Sequence, residues 1–486
     1  MRKNTRPLFT LLILLPLLLS ACRGEGNGPA PTAGLTREAA TSPAVTPRPP
    51  TAVPSPTPTV IQGTISLWHS WEEDRLPALL RRIDEFRSLY PNVHFDVLFV
   101  PQMDLRASFE EAVLNGGGPA ILLGPAEWGP ELFDRGMISD LSGLFSEDFL
   151  ASFNPAALAS GRYKDALIGL PQSIQGVVLY RNLAIIQGEP FTWSSLVSLT
   201  EDASRGEIFG AVLDRGFLYS GGHLFGIGGR LMDEDGRPAF NSPEGLAWLE
   251  LLMRYNELGP AEYNTETDLQ LFREGRAGFI IDGTWNWANL AEAIGAANLV
   301  IDPWPFYEAP EPGPRTPTPA APRQSGVGDK TLAGFVQSEN IYLGARLAGE
   351  DGPEARAAWN FIEFLLTPES QASLVEFGLI PAAQEELVLR SLAELDLDQN
   401  NPNLQFVRQA MKALKYGYPY PVAPEFAAYS TPLNIAMQSV FNGGDPVQAL
   451  EVAEAAVLAN LETLEATPTP ELTATATVTP APTGTP

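Results

Sequence analysis

The chain has 486 residues and a formal net charge of −27, so nucleic acid and other polyanions are poor partners for it. Three His and one Cys exclude an internal disulfide and leave little for a His/Cys metal site. No phosphate-binding glycine loop, GxSxG elbow, HExxH pair or EF-hand loop occurs, and a carboxylate-only calcium site stays open.

Arg2, Lys3 and Arg6 precede an apolar run, Leu8 to Leu19, with the length of a secretory signal and not of a bilayer span. The run ends in "LLSAC", which resembles the bacterial lipobox. In such signals the Cys, here Cys22, is acylated and becomes the first mature residue, holding the protein on a membrane without a spanning helix. Residues 23–60 are rich in Pro, Thr and Ala and read as a disordered tether. At about 3 Å per residue it would reach roughly 100 Å. Residues 465–486, "TPTPELTATATVTPAPTGTP" at their core, read as a second disordered tail.

About 400 residues lie between the tails, enough for two or three domain-sized units. "TISLWHSW", Thr64 to Trp71, alternates as a strand. Leu76, Leu79, Leu80, Ile83, Phe86 and Leu89 recur at helical spacing over 75–90, and Pro91-Asn92 stops them. Val93 to Val100 is a second strand. Leu105, Phe109 and Val113 mark a second helix, closed by "NGGGP", and Ala120 to Leu123 is a short buried strand. Strand, helix, strand, helix, strand predicts an α/β fold with a mostly parallel sheet. Ligands of such sheets sit beyond the carboxyl ends of the strands, here residues 69–73, 101–104 and 124–128.

Further on, Tyr163 to Ile185 reads as two strands separated by 171–176. Helices are expected at 193–203 and 246–258, and strands at 277–282, 299–304 and 335–343. Pro-rich 305–329 reads as a solvated insertion, 355–366 as a helix and 451–464 as a closing helix. In "IIDGTWNWANLAEAIG", Trp287, Leu290, Ala291 and Ile294 fall on one helix face, with Asp282 or Thr284 as a candidate cap. Trp285 lies about 200° from Trp287 at about 100° per residue, so the two rings cannot share a face.

Four blocks, in this order and spacing, resemble the extracellular solute-binding proteins of the maltose/maltodextrin type, the receptors of ABC sugar importers. They are "ISLWHSWEEDRLPALLRRIDEFRSLYPNVHFDV", "YKDALIGLPQSIQGVVLYRNLAI", "FREGRAGFIIDGTWNWAN" and "EARAAWNFIEFLLTPESQASLVEFGLIP". The resemblance covers about Ile61 to Leu464. It implies a two-lobed periplasmic-binding-protein fold with interleaved crossings. Residues 61–173 and 299–346 are assigned to one lobe, and 174–298 and 347–464 to the other. The family closes its lobes on the solute by a hinge and docks on a membrane permease. The implied protein is an exported, lipid-anchored, monomeric receptor on the outer face of the cell membrane, with no cofactor and no catalysis.

The resemblance also implies site residues. Trp285 matches the family's stacking Trp. Trp71 lies past the first strand and is assigned to the cleft, whereas Trp68 reads as wall or core. His69 is a structural residue or a ligand contact, and Glu72 is a hydroxyl acceptor or a helix-start charge. Where maltodextrin binders carry a Trp, an acid and an Arg, this chain has Gly124, Glu127 and Trp128. Gln175 stands at the first crossing. Tyr219, with His223 nearby, falls where the family has an aromatic platform, and Tyr429 substitutes for a late stacking Trp. These aromatics and acids favour a neutral sugar, and the lack of clustered Arg or Lys disfavours a phosphorylated one. Two other functions are carried along: a sensor presenting ligand to a membrane kinase, and a glycosidase using Glu127 and Asp282.

Overall fold

The computed structural model describes residues 60–260, 265–308, 330–395 and 401–466. The signal peptide with Cys22, the tether up to residue 59, the tail from residue 467 and the insertion from residue 309 to 329 lie outside the described residues.

The first half follows the hydrophobic pattern. Strands β1 (Gly63–His69), β2 (Val93–Phe99) and β3 (Ile121–Pro125) alternate with helices α1 (Leu76–Leu89) and α2 (Gln102–Leu114). β1 lies between β2 and β3 and pairs with both in parallel. On α1, Ala78, Leu79, Ile83 and Phe86 face the core. Leu80 and Leu89, which share the apolar pattern, are exposed.

Strand β4 (Leu170–Asn182) organises the rest. After it come α3 (Trp193–Ala203), β5 (Phe209–Val212), α4 (Phe217–Gly226), α5 (Pro243–Leu258), β6 (Ala277–Gly283), α6 (Trp287–Ile294), β7 (Leu299–Asp302) and β8 (Phe335–Leu343). The sheet order is β2-β1-β3-β8-β4-β6-β5, with β7 paired to β4 off that path. The sheet is mixed: β8 is antiparallel to β3 and to β4, and β4 to β6, while β5 and β6 are parallel.

Along β4 the partner changes. Pro171 to Gly176 pair with β8, and Val177 to Asn182 pair with β6 and β7. The handover falls at Gly176, where only a glycine fits. A Cβ there would lie 2.5 Å from the Phe335 carbonyl oxygen and 2.6 Å from a Leu414 methyl carbon.

Two large apolar clusters flank this strand. One gathers Ile65, Leu67, Phe86 and Leu123 with Phe361 and Ile362. The other gathers Leu179, Trp248, Phe279 and Ile281 with Leu433 and Val457. Burying each such side chain is worth about 1.5–3 kcal/mol. Among the described residues no helix is long and apolar enough to cross a membrane.

Two expected assignments differ from the observed packing. Residues 299–302 form β7, which pairs with Leu179–Asn182, and the buried Arg181 guanidinium grips the Asp302 carboxylate at 2.7 and 2.9 Å. That stretch therefore sits beside 174–298 and not with 61–173. Helix α7 (Pro353–Leu365) covers β1 and α1 instead of joining 174–298. Its Phe361 ring stands edge-on to Phe86 at 5.1 Å and to Phe95 at 4.7 Å. In both cases apolar and ionic complementarity between distant segments decides, and chain order alone does not carry that information.

Past α7 come α8 (Pro402–Leu414), α9 (Ser430–Phe441) and α10 (Pro446–Ala466). Helices α9 and α10 pack together in the second cluster.

Candidate functional site

The carboxyl ends of β1, β3 and β6 and the handover segment of β4 open on one cavity of about 690 Å³. That is ample for a small-molecule site. Ser70, Trp71 and Glu72 enter it after β1, Pro125 from the last position of β3 and Glu127 just after it, and Thr284 and Trp285 after β6. Ser173, Ile174 and Gln175 come from β4, and Gln337, Ser338 and Glu339 from β8.

At the β1 end, polar bonds fix the geometry. The Trp71 backbone N–H donates to His69 Nδ1 at 3.0 Å, and burial lowers the His69 pKa, leaving the ring neutral and able to accept. The Trp71 indole Nε1–H donates to Glu339 Oε2 at 2.7 Å. Ser70 Oγ donates to Gln102 Oε1. Trp71 is only 2% exposed, so it contributes a wall and not an open face. Glu72 is exposed at the mouth. His69 is 1% exposed and does not reach the cavity; of its two sequence readings the structural one describes its position.

At the β3 end, Glu127 is exposed on the cavity. Trp128 is not brought there. It packs with Leu105, Phe109, Leu122 and Tyr342 in a small core, its ring against Gly124. A Cβ on Gly124 would stand 2.7 Å from that ring, so the glycine makes room for Trp128.

The β6 end separates its two tryptophans. Trp287 is 8% exposed and stacks on Phe406 of α8 at 4.9 Å between centroids, with Leu290 of α6 fully buried. Both rings line the cavity, Trp287 from the packed wall and Trp285, 37% exposed, as the open face. The Trp285 ring rests on the backbone of Gly283, within 2.0 Å of where a Cβ would project. Neither Asp282 nor Thr284 caps the helix as expected. Thr284 Oγ1 instead accepts the Gly176 N–H at 3.1 Å, linking β6 to the handover in β4. Asp282 is buried and accepts from Asn286 Nδ2 at 2.9 Å on both oxygens, and burial pushes its carboxyl up to about 6. It does not line the cavity, so Glu127 and Asp282 do not form the carboxylate pair that glycosidase chemistry requires.

Gln175 is exposed on the cavity at the handover. Tyr219 is half-buried away from it, its phenol pushed up to about 12 by burial and then by Asp282 and Asp214. His223 is fully buried, with Nδ1 2.8 Å from the Ala333 carbonyl oxygen. Tyr429 is also fully buried and donates to the Gly236 carbonyl oxygen at 2.6 Å. Tyr219 and Tyr429 are thus not cavity residues, because their rings turn into the second apolar cluster.

Sequence reasoning missed the far wall: Gln337, Ser338 and Glu339 of β8, Phe377 to Ile380, and Asn403 and Phe406 of α8. A signal was present in "FVQSENIYL", where four polar residues interrupt an otherwise apolar strand. Their polarity suits a strand whose middle faces a cavity. Among the described residues no group of three His, Cys, Asp or Glu side chains could hold a metal ion.

The model of a family described as bacterial extracellular solute-binding protein matches residues 82–388. The maltotriose-binding protein of Pyrococcus abyssi (strain GE5 / Orsay) is 23% identical over 377 residues, covering 75% of this chain and 75% of that protein. The galactooligosaccharide-binding protein of Bacillus subtilis (strain 168) is 23% identical over 361 residues, covering 70% and 76%. Among solved structures, an extracellular solute-binding protein from Staphylococcus aureus in complex with maltose superposes with a TM-score of 0.67. It is 18% identical and covers 82% of this chain and 98% of that one.

Proposed function

The chain belongs to the bacterial extracellular solute-binding proteins, a family of exported binding proteins and not of enzymes, and on that premise we propose that it is a sugar receptor. It captures an oligosaccharide in the cavity by closing about β4 and delivers it to an ABC transporter permease. One observation carries the reading: an exposed indole, Trp285, faces a cavity whose wall mixes aromatic and apolar side chains with amides, hydroxyls and carboxylates. A pyranose offers apolar C–H faces for such a ring and hydroxyls for such a lining. Relatives named for maltotriose and for galactooligosaccharides support a sugar of several units and leave its linkage open.

In this reading the two lobes meet at Gly176 of β4. One is built around β1–β3 with α7, and the other around β5–β7 with α9 and α10. Closure requires that the solute make better contacts in the closed state than in the open one. Acylation at Cys22 and the Pro-rich tether hold the monomer at the outer face of the membrane; Cys22→Ser is expected to release it from the membrane fraction.

The test is a thermal-shift and calorimetric screen over mono- and oligosaccharides. A ligand bound by the folded state alone raises the melting temperature with its concentration. No shift with any sugar would sink the reading.

A further inference from the structure

The charge of the cavity wall is lopsided. Glu72, Asp74, Glu127 and Glu339 line it, against a single basic side chain, Arg75. Arg75 Nε lies 3.8 Å from the Asp74 carboxylate, so that pair largely cancels. Among the described residues Glu72, Glu127 and Glu339 make no salt bridge, although Arg75 also attracts Glu339, so carboxylates outnumber cations on the wall four to one.

Helix-start electrostatics account for part of this. Glu72 precedes α1 and Glu127 precedes the short helix Gly129–Asp134, where negative charge is favourable. Glu339 has no such explanation. It sits in the middle of β8, half-buried, where a charged side chain is costly without a partner. An amide there could equally accept the Trp71 indole N–H, and the neighbouring Gln337 shows that amides are tolerated in this strand. Neutral hydroxyls are already served by Gln102, Gln175, Gln337 and Asn403.

We propose that the cavity selects an amino-substituted oligosaccharide over its neutral counterpart, with the ammonium group paired to Glu339 and Glu127 and the sugar ring on Trp285. The proposal rests on the sugar-receptor reading and narrows it from the neutral sugar expected from sequence. A charge-assisted bond to a carboxylate is about twice as strong as a neutral one, and exclusion of water by closure strengthens it. The Trp285 face adds attraction for a cation. Burial raises the Glu339 pKa against lowering by the Trp71 indole and by Arg75, and a cation placed beside it favours the ionised carboxylate. The same field rejects uronic and phosphorylated sugars.

The test is isothermal calorimetry on the full chain at about pH 6 with four trimers: β-1,4-linked glucosamine, cellotriose, maltotriose and trigalacturonate. Glucosamine trimer and cellotriose differ only at the amino-bearing carbon. The glucosamine trimer is expected to bind at least about tenfold tighter than either neutral trimer, a preference of about 1.4 kcal/mol. The preference shrinks with added salt, and trigalacturonate does not bind. Glu339→Gln keeps an acceptor for Trp71 and is expected to cut the amino-to-neutral ratio to about threefold or less; Glu127→Gln, on the exposed rim, should lower it independently.

Neutral trimers bound as tightly as the glucosamine trimer, or tighter, would overturn the proposal and leave the sugar receptor standing. A ratio unchanged in both variants would do the same. Binding of none of the four trimers would overturn this proposal, whereas the sugar receptor falls only if no sugar in the wider thermal-shift screen binds.

Discussion

Trp71 and Glu339 stand 268 residues apart in the chain and are joined by a 2.7 Å hydrogen bond at the cavity wall. The bond ties the end of β1 to the middle of β8, two strands separated by β3. Glu339→Leu leaves the buried indole N–H without an acceptor, which should cost about 1–3 kcal/mol in urea denaturation. Glu339→Gln should cost less than about 1 kcal/mol. Equal losses from the two would mean that the bond does not hold the wall.

The two tryptophans after β6 should respond oppositely. Trp287→Ala empties a site between Phe406, Tyr180 and Leu290 and is expected to cost about 3–5 kcal/mol in folding. Trp285→Ala should leave stability within about 1 kcal/mol and abolish solute binding in the sugar titration. The reverse pattern would show that the two rings have been assigned to the wrong faces.

Gly283→Ala tests the seat of the Trp285 ring. The added methyl would project into the indole, and Trp285, being exposed, is free to swing away. The expected result is a changed Trp emission spectrum and at least about tenfold weaker binding, with a folding cost of about 1 kcal/mol or less. Wild-type affinity in this variant would show that the ring's resting position is immaterial to the solute.

Asp268 should make stability depend on pH. It is 2% exposed, neither oxygen has a hydrogen-bond partner among the described residues, and burial followed by the nearby Asp214 pushes its carboxyl up to about 7, against a lowering by Arg215. Because the folded-state pKa lies above the unfolded one, the folded state binds more protons between about pH 4 and 7. Stability is therefore lost as pH rises through that window. His223 acts with the opposite sign: burial lowers it to about 4, so its contribution is lost as pH falls from about 6.5. Asp268→Asn is expected to raise the melting temperature more at pH 8 than at pH 4. A gain independent of pH would place the effect elsewhere.

Local periodicity carried much of the first half of the chain into view. The helix at 76–89 and the divergence of Trp285 from Trp287 follow from spacing along one helix, where neighbours in sequence are neighbours in space. Trp128 and Tyr429 were not legible in the same way. Both lie near the expected cleft in sequence, yet a ring can turn to either side of its backbone. The space left over Gly124, and the Gly236 carbonyl that accepts from Tyr429, decided those directions. Glu339 was invisible because its meaning depends on Trp71 across the sheet. The placement of β7 likewise depends on Arg181 finding Asp302, a pairing between residues more than a hundred positions apart.

The bond from the Gly176 N–H to Thr284 Oγ1 carries the pairing of β4 with β6 one residue past Val177–Gly283, into the turn that bears Trp285. It works as a tie rod between the strand that changes partners and the turn that carries the exposed indole. A twist of the backbone at Gly176 strains this bond first, while Val177 and the Tyr180 hydroxyl keep Gly283 tied to β4. The aromatic face beneath a solute is thereby geared to the strand about which the molecule would close, and the amide proton of Gly176 becomes a natural reporter of that motion in hydrogen exchange.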